Sequence, residues 1–296
     1  MQFLSDAECE YIRNGAKDGI RSDGRAMLDI RPVTLETTVL PTASGSARVR
    51  IGKVTDILVG IKPEVAEPSQ DFPDEGIISF TVECSSLASP DFVGRGGADL
   101  SAELGQLLTR LYTSPVTREL RRSLSIIKGK KCWILHIDAL VLDSGGNLFG
   151  ALSLAVRAAL RVVILPRVIV IPGEADDDDE IEVDEEEFKM LERSRDAPIA
   201  VTLASQGDRG IYMADCTSEE ESCATASITM GVSPLGKSCG AVSAGTGGID
   251  LDTLSSMLKD AAQLGLEILD ATDRFLKTDI DNRMSGAPIV PIGFFS

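Results

Sequence analysis

Three consecutive carboxylates, Glu219 to Glu221, follow Asp215 closely and form a candidate site for metal-dependent chemistry. Carboxylate oxygens are the ligands that hard divalent cations such as Mg²⁺ prefer, and a hydrolase could use a cation held there. An exposed acidic turn is the more common origin of such a triplet, and no second carboxylate group has a suitable spacing. We therefore favour an exposed turn and expect no metal site and no cofactor.

A longer acidic run, residues 174–187, contains 11 acidic residues and no basic one. With Asp176 in the first position, the run places acids at most ligand positions of a calcium-binding loop. However, Ile181 stands where such a loop needs glycine. Many carboxylates without a rigid cage are typical of a solvated loop. We expect the run to be a mobile loop on the outside of the molecule.

This run also decides how the total charge is interpreted. The 296 residues include 46 acidic and 29 basic side chains, and the net charge of −17 argues against binding of nucleic acid by bulk electrostatics. Without the run the net charge is −6, and residues 95–131 form a basic stretch with a net charge of +5. A local basic surface can contact phosphates whatever the total charge. A solvated helix face or a basic protein interface explains the stretch equally well.

The only histidine, His136, lies in an apolar run typical of a strand, so a structural role is favoured. Ser-His-Asp and Cys-His catalysis both need an imidazole base, and one histidine without paired cysteines makes no zinc site. The six scattered cysteines are interpreted as small buried side chains of a reduced, intracellular protein. No apolar run reaches the ~18 residues of a membrane span, so we expect no membrane partner.

Hydrophobic periodicity predicts two packed domains of α+β or α/β type. Residues 33–40 and 47–61 alternate apolar and polar side chains, and residues 131–142 form an apolar strand that we expect to be buried on both faces. Leucines spaced by 3.6 residues between Leu100 and Leu111 predict a helix, and a long helix is expected from Asp250 to Phe275. The predicted divisions are an N-terminal helix and arm (1–30), a first domain (31–172), an acidic linker (173–196), a second domain (197–275) and a C-terminal tail (276–296).

Several motifs occur together in a characteristic order. They are GIRSDGR (19–25), IRP (30–32), GSA (45–47), GRGGADLSAELGQLLTRLY (94–112), LVLDSGGNLFGALSLAVRAAL (140–160) and DCTSEEES (215–222). Over residues 5–275 the chain resembles the RNase PH family, and in particular the ring subunits of the RNA exosome. The resemblance implies an α+β fold of two RNase-PH-like domains, the first like domain 2 of ribosomal protein S5 and the second a smaller α/β domain. It also implies a six-membered ring with a central channel for single-stranded RNA.

Active members of this family cleave RNA from its 3′ end with inorganic phosphate, and the resemblance identifies the matching positions. Leu148 stands in the glycine-rich loop where active members carry arginine, and Leu100 replaces another arginine. Of two acids that active members place six residues apart, Glu221 is retained and Ser227 replaces the other. Leucine can neither neutralise phosphate nor donate a hydrogen bond to it, so we predict a non-catalytic protein with no catalytic residues. The alternative is an active phosphate-dependent 3′-to-5′ exoribonuclease, which only the retained Glu221 favours.

The resemblance also implies the partners: other RNase-PH-like ring subunits, cap subunits with S1 and KH domains, and single-stranded RNA in the channel. Arg95 and Arg110, in the basic stretch, are our candidates for RNA contact. The expected role is support of 3′-to-5′ RNA processing, including rRNA maturation and mRNA turnover, in the nucleus, nucleolus and cytoplasm. The apolar tail, residues 287–295, could dock on its own first domain or pack against a neighbouring subunit.

Overall fold

The first half of the molecule is built of strands and helices in mixed order. The computed structural model describes residues 4–171, 180–207, 210–284 and 292–295. The elements are α1 (Asp6–Lys17), β1 (Val33–Thr37), β2 (Gly45–Ile51), β3 (Thr55–Ala66), β4 (Ile77–Cys84), α2 (Arg95–Tyr112), α3 (Arg118–Arg122), β5 (Ser125–Ile127), β6 (Lys131–Asp143) and α4 (Leu148–Arg161). Alternate side chains of the strands face the core, and Ile57, Val59 and Ile61 of β3 are fully buried.

The second half repeats this mixture on a smaller scale. Its elements are β7 (Ile164–Ile171), β8 (Glu180–Met190), β9 (Ile199–Ser205), β10 (Tyr212–Ala214), α5 (Ser218–Cys223), β11 (Ala226–Val232), β12 (Ser238–Gly245), α6 (Leu251–Met284) and β13 (Ile292–Phe294). The first sheet has the order β13-β1-β2-β3-β6-β4, and β5 also pairs with β6. The second sheet has the order β10-β9-β11-β12 and is antiparallel throughout.

Helix α4 lies between the two sheets and connects them. It packs against β2 and β3 of the first sheet and against β9 of the second. Its small and apolar side chains are buried continuously from Ala151 to Arg161, as its sequence predicts for a closely packed helix. Gly45 of β2 is required at this contact, because a Cβ atom there would lie 2.4 Å from Val163 Cγ2 and 2.9 Å from the Ala159 carbonyl oxygen.

Two expectations about individual elements are corrected by this packing. Strand β6 is not buried on both faces: its side chains alternate, and Asp138 is exposed, because α4 and the core cover only one side of the first sheet. Helix α6 does not end at Phe275 but continues to Met284.

The C-terminal segment docks on the first sheet of its own chain. Residues 292–294 form β13, which pairs antiparallel with β1, and the Phe294 ring lies 6.2 Å from that of Phe275. These residues therefore dock on their own first domain, which was one of the two alternatives for the tail. Residues 285–291 of the predicted tail lie outside the described residues.

The described part of the acidic segment is a strand and not a loop. Residues 180–190 form β8, which pairs antiparallel with β7 along its length, so the expectation of a mobile loop is wrong for these residues. Pairing with the β-branched residues of β7 explains the strand, since Ile181 and Val183 alternate with acids as in a half-exposed strand. Residues 172–179, including Asp176 of the considered calcium loop, lie outside the described residues.

Among the described residues, no helix combines the length and the apolar character needed to cross a membrane.

Candidate functional site

The loop between β6 and α4 forms the centre of the candidate site. It contains Gly145, Gly146 and Asn147, and both Gly146 and Asn147 have a positive φ, of 91° and 53°. A Cβ atom on Gly146 would lie 2.5 Å from the Cys216 carbonyl oxygen and 2.6 Å from the Ser218 nitrogen. Only glycine therefore allows the loop to lie this close to the start of α5.

Asp215 holds this loop together with the N-terminal arm. Its Oδ2 accepts from the Arg31 backbone N–H (2.7 Å) and from Arg31 Nε (2.9 Å), while its Oδ1 accepts from Arg31 Nη2 (2.8 Å) and Asn147 Nδ2 (2.7 Å). Arg25 Nη1 lies 3.3 Å from Oδ2. Arg31 also donates to the carbonyl oxygens of Gly145 (2.9 Å) and Gly146 (3.1 Å). The arm, the loop and the second half of the chain thus share one buried hydrogen-bond network.

A second buried ion pair fixes the start of α5. Arg21 donates from Nε (2.9 Å) and Nη2 (2.6 Å) to the two carboxylate oxygens of Glu220, and both side chains are buried. Glu220 also accepts from the Thr217 backbone N–H, and the Thr217 hydroxyl accepts from the Glu220 N–H, which is a capping box. Glu220 is therefore engaged in structural contacts.

These contacts correct the expectation of an exposed acidic turn only in part, because Glu219 and Glu221 are exposed. The triplet starts a capped helix, and its central member, Glu220, is only 2% exposed. Asp215 is engaged by arginine, and Glu221 accepts a backbone N–H. In the part of the chain that the structure describes, no group of three or more His, Cys, Asp or Glu side chains is arranged to hold a metal ion.

Four positions were compared with the active members of the family, and two of them meet in one cavity. Glu221 and Ser227 line a space of about 250 Å³ together with Asn147, Thr202 and Cys216. The backbone N–H of Asn147 donates to Glu221 Oε1 at 2.7 Å. Of the residues that the structure describes, none that lines this cavity has a cationic side chain.

Leu148 and Leu100 do not line this cavity. Leu148 begins α4 and Leu100 lies inside α2, and both pack as partly buried side chains against the hydrophobic core. Their apolar surfaces take part in packing, so neither position offers a polar group to a ligand.

The two candidate RNA-contacting arginines lie at the two ends of α2. Arg95 is the first residue of the helix, and Arg110 lies in its last turn. Both side chains are exposed. Neither lines the cavity. Within the described ranges neither guanidinium group makes a hydrogen bond or ion pair, so both are available to solvent.

Much of the remaining basic stretch is neutralised. Arg118 and Arg121 donate from Nε to Glu75 at 2.6 and 2.8 Å, and Arg122 lies 3.1 Å from Asp74. Both acids precede β4 and are more than 40 residues away from these arginines in the sequence. The net charge of +5 therefore overstates the basic surface, and no local pattern could have revealed these pairs.

Opposite electrostatic environments surround the two acids of the site. Burial raises the pKa of Asp215, but the hydrogen bonds and charge of Arg31 outweigh it, and the pKa lies below its ordinary value. Glu221 is exposed as a residue, but its carboxylate lies against the loop of Gly146 and Asn147, and the loss of hydration there raises its pKa; the Asn147 N–H and Arg31 oppose this, while Asp215 and Glu220 add to it. The ionised form of Glu221 is therefore held at a cost to the folded state.

We expect the substitution Glu221→Gln to stabilise the protein at neutral pH. A carboxyl group whose folded pKa is raised lowers stability once the pH exceeds its unfolded pKa, about 4.3, and this penalty is complete above the folded value. The amide oxygen of glutamine can still accept the Asn147 N–H, so the main change is the loss of charge. Urea denaturation at about pH 7 and about pH 3.5 measures the difference.

The gain in stability of Glu221→Gln over wild type should disappear at the lower pH, where the carboxyl group is neutral in the folded and the unfolded state. Glu219→Gln, an exposed residue on the same helix, is the matched control. A gain of equal size in the control, or one that persists at the lower pH, would contradict the assignment of the penalty to Glu221.

The arginines of the network were the functional residues that the sequence indicated least directly. Arg21, Arg25 and Arg31 occur within the GIRSDGR and IRP motifs. Arg25 pairs locally with Asp23, but the acids that join the three arginines to the second half of the chain, Asp215 and Glu220, lie more than 180 residues away. The available signal was the density of arginine in a polar segment before the first strand. That signal locates a charged segment and does not identify what it binds.

Comparison with known proteins agrees with this geometry over both halves of the chain. The sequence model of the "3′ exoribonuclease family, domain 1" matches residues 29–166, and the model of "domain 2" of that family matches residues 196–263. A Dictyostelium discoideum protein with the name "Putative exosome complex exonuclease RRP42" is 34% identical, and the match covers 94% of this chain and 99% of the relative.

An archaeal relative and a solved structure give the same picture. The exosome complex component Rrp42 of Methanothermobacter thermautotrophicus is 32% identical, with 93% of this chain and 97% of the relative covered. A chain from the Archaeoglobus fulgidus exosome with RNA bound to the active site superposes with a TM-score of 0.75 and 28% identity, and covers 90% of this chain and 98% of its own.

Proposed function

The chain belongs to the 3′ exoribonuclease family of RNase PH proteins, and from this membership we propose that it is a non-catalytic, RNase-PH-like subunit of an exosome ring. The membership confirms the resemblance and the predicted two-domain α+β fold. Nearly full-length coverage of relatives named as exosome components supports the ring assignment. Its proposed neighbours are other RNase-PH-like subunits.

The observation that carries the non-catalytic part of the proposal is the charge of the cavity. Phosphorolysis needs cations that hold inorganic phosphate next to the RNA backbone. None of the described residues that line the cavity carries a cationic side chain, and nearby Arg31 is engaged by Asp215 and by two carbonyl oxygens. Among these residues a phosphate anion would therefore find no free cation to hold it, which an active enzyme needs.

One assay separates this proposal from the active exoribonuclease. The purified chain is incubated with single-stranded RNA and inorganic phosphate, and the products are separated to detect nucleoside diphosphates. The proposal predicts no nucleoside diphosphates above a blank without protein. Their appearance, and their loss in Glu221→Gln, would establish the active alternative in its place.

The composition of the native assembly tests the ring assignment. Native mass spectrometry of the complex purified through a tag on this chain should give a defined assembly with other RNase-PH-like subunits and with cap subunits that contain S1 or KH domains. An isolated monomer would contradict the assignment. Function in rRNA maturation and mRNA turnover remains a prediction. Presence in the nucleus, nucleolus and cytoplasm also remains a prediction, which imaging of the tagged protein would test.

For RNA binding, we expect Arg95→Ala in the assembled complex to weaken RNA affinity by about three- to tenfold for all sequences alike. We propose that the exposed guanidinium group of Arg95 contacts the RNA backbone, so its loss should also lower the slope of log affinity against log salt by about one. Fluorescence anisotropy across a salt series measures both quantities, and Arg110→Ala is measured in the same way.

Arg274→Ala is the matched control, because Arg274 is an exposed arginine already paired with Asp270 at 2.9 Å. Unchanged affinity and salt slope in both Arg95→Ala and Arg110→Ala would exclude these residues from the RNA path.

A further inference from the structure

Strands β7 and β8 form a two-stranded ribbon with one apolar face. In an antiparallel pair, residues directly opposite each other point to the same face, and the face alternates with each step along the strand. Every second opposing pair of this ribbon is apolar on both strands. These pairs are Ile164 with Met190, Pro166 with Phe188, Val168 with Val183, and Val170 with Ile181. One face of the ribbon therefore presents eight apolar side chains.

This apolar face is not covered by the described part of its own chain. None of its eight side chains is buried. Five of them are more than one-third exposed, and Phe188, the largest, is 58% exposed. A contiguous apolar surface of this kind marks an interaction site, and a ribbon of only two strands is marginally stable by itself. The face therefore has the character of a docking surface.

A cavity of about 630 Å³ extends the apolar face toward the first sheet. Its lining includes Val168, Phe188 and Met190 of the ribbon, and Ile126 and Trp133 from β5 and β6. Protein interfaces commonly gain most of their affinity where an apolar or aromatic anchor fills such a pocket. The cavity thus gives an apolar side chain of a partner a place to insert at the base of the ribbon.

The charges of the ribbon indicate the chemistry of the partner. Its two strands contain six acidic and two basic residues, a net charge of −4. Both basic side chains are already paired, Arg167 with Glu187 and Lys189 with Glu192. A second copy of this chain would bring two negatively charged ribbons together, and RNA would also be repelled. A protein segment with apolar residues flanked by lysine or arginine matches both the apolar face and the charge.

We propose that the apolar face of the β7–β8 ribbon docks another protein through an apolar segment of that protein that is flanked by basic residues. The segment lies along the four apolar pairs, inserts a side chain into the cavity next to Trp133, and places its basic residues near the acids of β8. This docking role goes beyond the proposed place in a ring and does not depend on the absence of catalysis.

The test is photo-cross-linking in the native complex, purified through a tag on the full-length chain. A benzophenone amino acid replaces Phe188, and mass spectrometry identifies the peptide that is cross-linked on irradiation. The expected product is one segment of a different protein, apolar and with adjacent lysine or arginine residues. The same probe at Leu235, an exposed apolar residue between β11 and β12, is the control and should not give this segment.

A synthetic peptide with the sequence of the cross-linked segment is then titrated into the purified chain. The fluorescence of Trp133, the only tryptophan, is the readout, because this side chain lines the cavity. Val183→Ser should weaken binding of the peptide by about tenfold, since it removes apolar contact from an exposed position. Replacing the basic residues of the peptide by glutamate should also weaken it by at least about tenfold. Leu235→Ser should leave the affinity unchanged.

In an intact complex, several outcomes would overturn the docking role and leave the ring assignment in place. They are cross-links only to this chain, to a second copy or to RNA, a cross-linked segment without basic residues, no cross-link beyond the Leu235 control, or a peptide affinity that Val183→Ser does not change. A basic apolar segment cross-linked in a complex without other RNase-PH-like subunits would support the docking role and contradict the ring assignment. An isolated monomer would contradict both.

Discussion

Replacing Asp215 by alanine is expected to lower the free energy of unfolding by about 3–5 kcal/mol at neutral pH, a large part of the ~5–15 kcal/mol typical of a folded protein. Removal of the carboxylate leaves the buried guanidinium of Arg31 without its main anionic partner and the Asn147 side-chain amide without an acceptor. A buried charge without a partner cannot recover its lost hydration. Urea denaturation of the full-length chain measures the loss.

The direction in which the stability difference changes with pH identifies the same carboxylate. The pKa of Asp215 is lowered in the folded state, since Arg31 outweighs the effect of burial. Such a group stabilises the fold above its unfolded pKa, about 3.9, and this contribution is lost as the pH falls through the lower folded value. The difference between wild type and Asp215→Ala should be largest near neutral pH and shrink below about pH 4.

Asp270→Ala provides the control, because Asp270 is an exposed aspartate that pairs only across one turn of α6. Its substitution should change the stability by no more than about 0.5 kcal/mol. A loss in Asp215→Ala as small as this, or one that is independent of pH, would mean that water replaces the carboxylate and that the network contributes little.

Hydrophobic periodicity predicted several elements of this fold because it is a local pattern. The leucine spacing located α2, and the small apolar residues after the Gly-Gly turn indicated a helix packed closely on a sheet, which is α4. Element ends were less predictable: α6 continues past Phe275, and in this part Leu276 is buried in the core and Asp279 accepts a hydrogen bond from Thr37 of β1 at 2.6 Å, contacts that no local pattern contains.

The candidate site was predictable in its residues but not in its contacts. The family motifs pointed to Glu221, Ser227 and Leu148, and the structure brings the first two into one cavity. The network that positions them joins Arg31 to Asp215 across 184 residues, and such pairings depend on the tertiary fold. For the same reason, the pairing of β8 with β7 and the neutralisation of Arg118 by Glu75 could not be predicted from the acidic and basic runs alone.

A second large effect is expected at Arg157, where the helix between the two sheets contacts the second half of the chain. Its side chain is fully buried, and Nη1 donates to the carbonyl oxygens of Arg195 (3.0 Å) and Ala197, while Nη2 donates to Asp273 Oδ1 on α6 at 2.9 Å. One guanidinium group therefore joins α4, the segment before β9 and α6.

The substitution Arg157→Leu is expected to lower the free energy of unfolding by about 3–5 kcal/mol. Leucine keeps much of the apolar volume, so the loss should come from the two carbonyl oxygens left without donors and from the missing partner of Asp273. Asp273→Asn should cost less, about 1–2 kcal/mol, because Asp273 is partly exposed and Arg157 keeps its carbonyl acceptors. Urea denaturation of both variants, with exposed Arg274→Leu as control, measures this order.

The order of these losses distinguishes two accounts of why a charged side chain is buried here. If the ion pair with Asp273 were the main contribution, Arg157→Leu and Asp273→Asn would lose similar amounts, and the double variant would lose little more than either. If hydrogen bonds to the backbone dominate, as the two carbonyl contacts indicate, Arg157→Leu alone accounts for most of the loss. A loss below about 1 kcal/mol in Arg157→Leu would contradict both accounts, because it would require water to satisfy the carbonyl groups in a fully buried position.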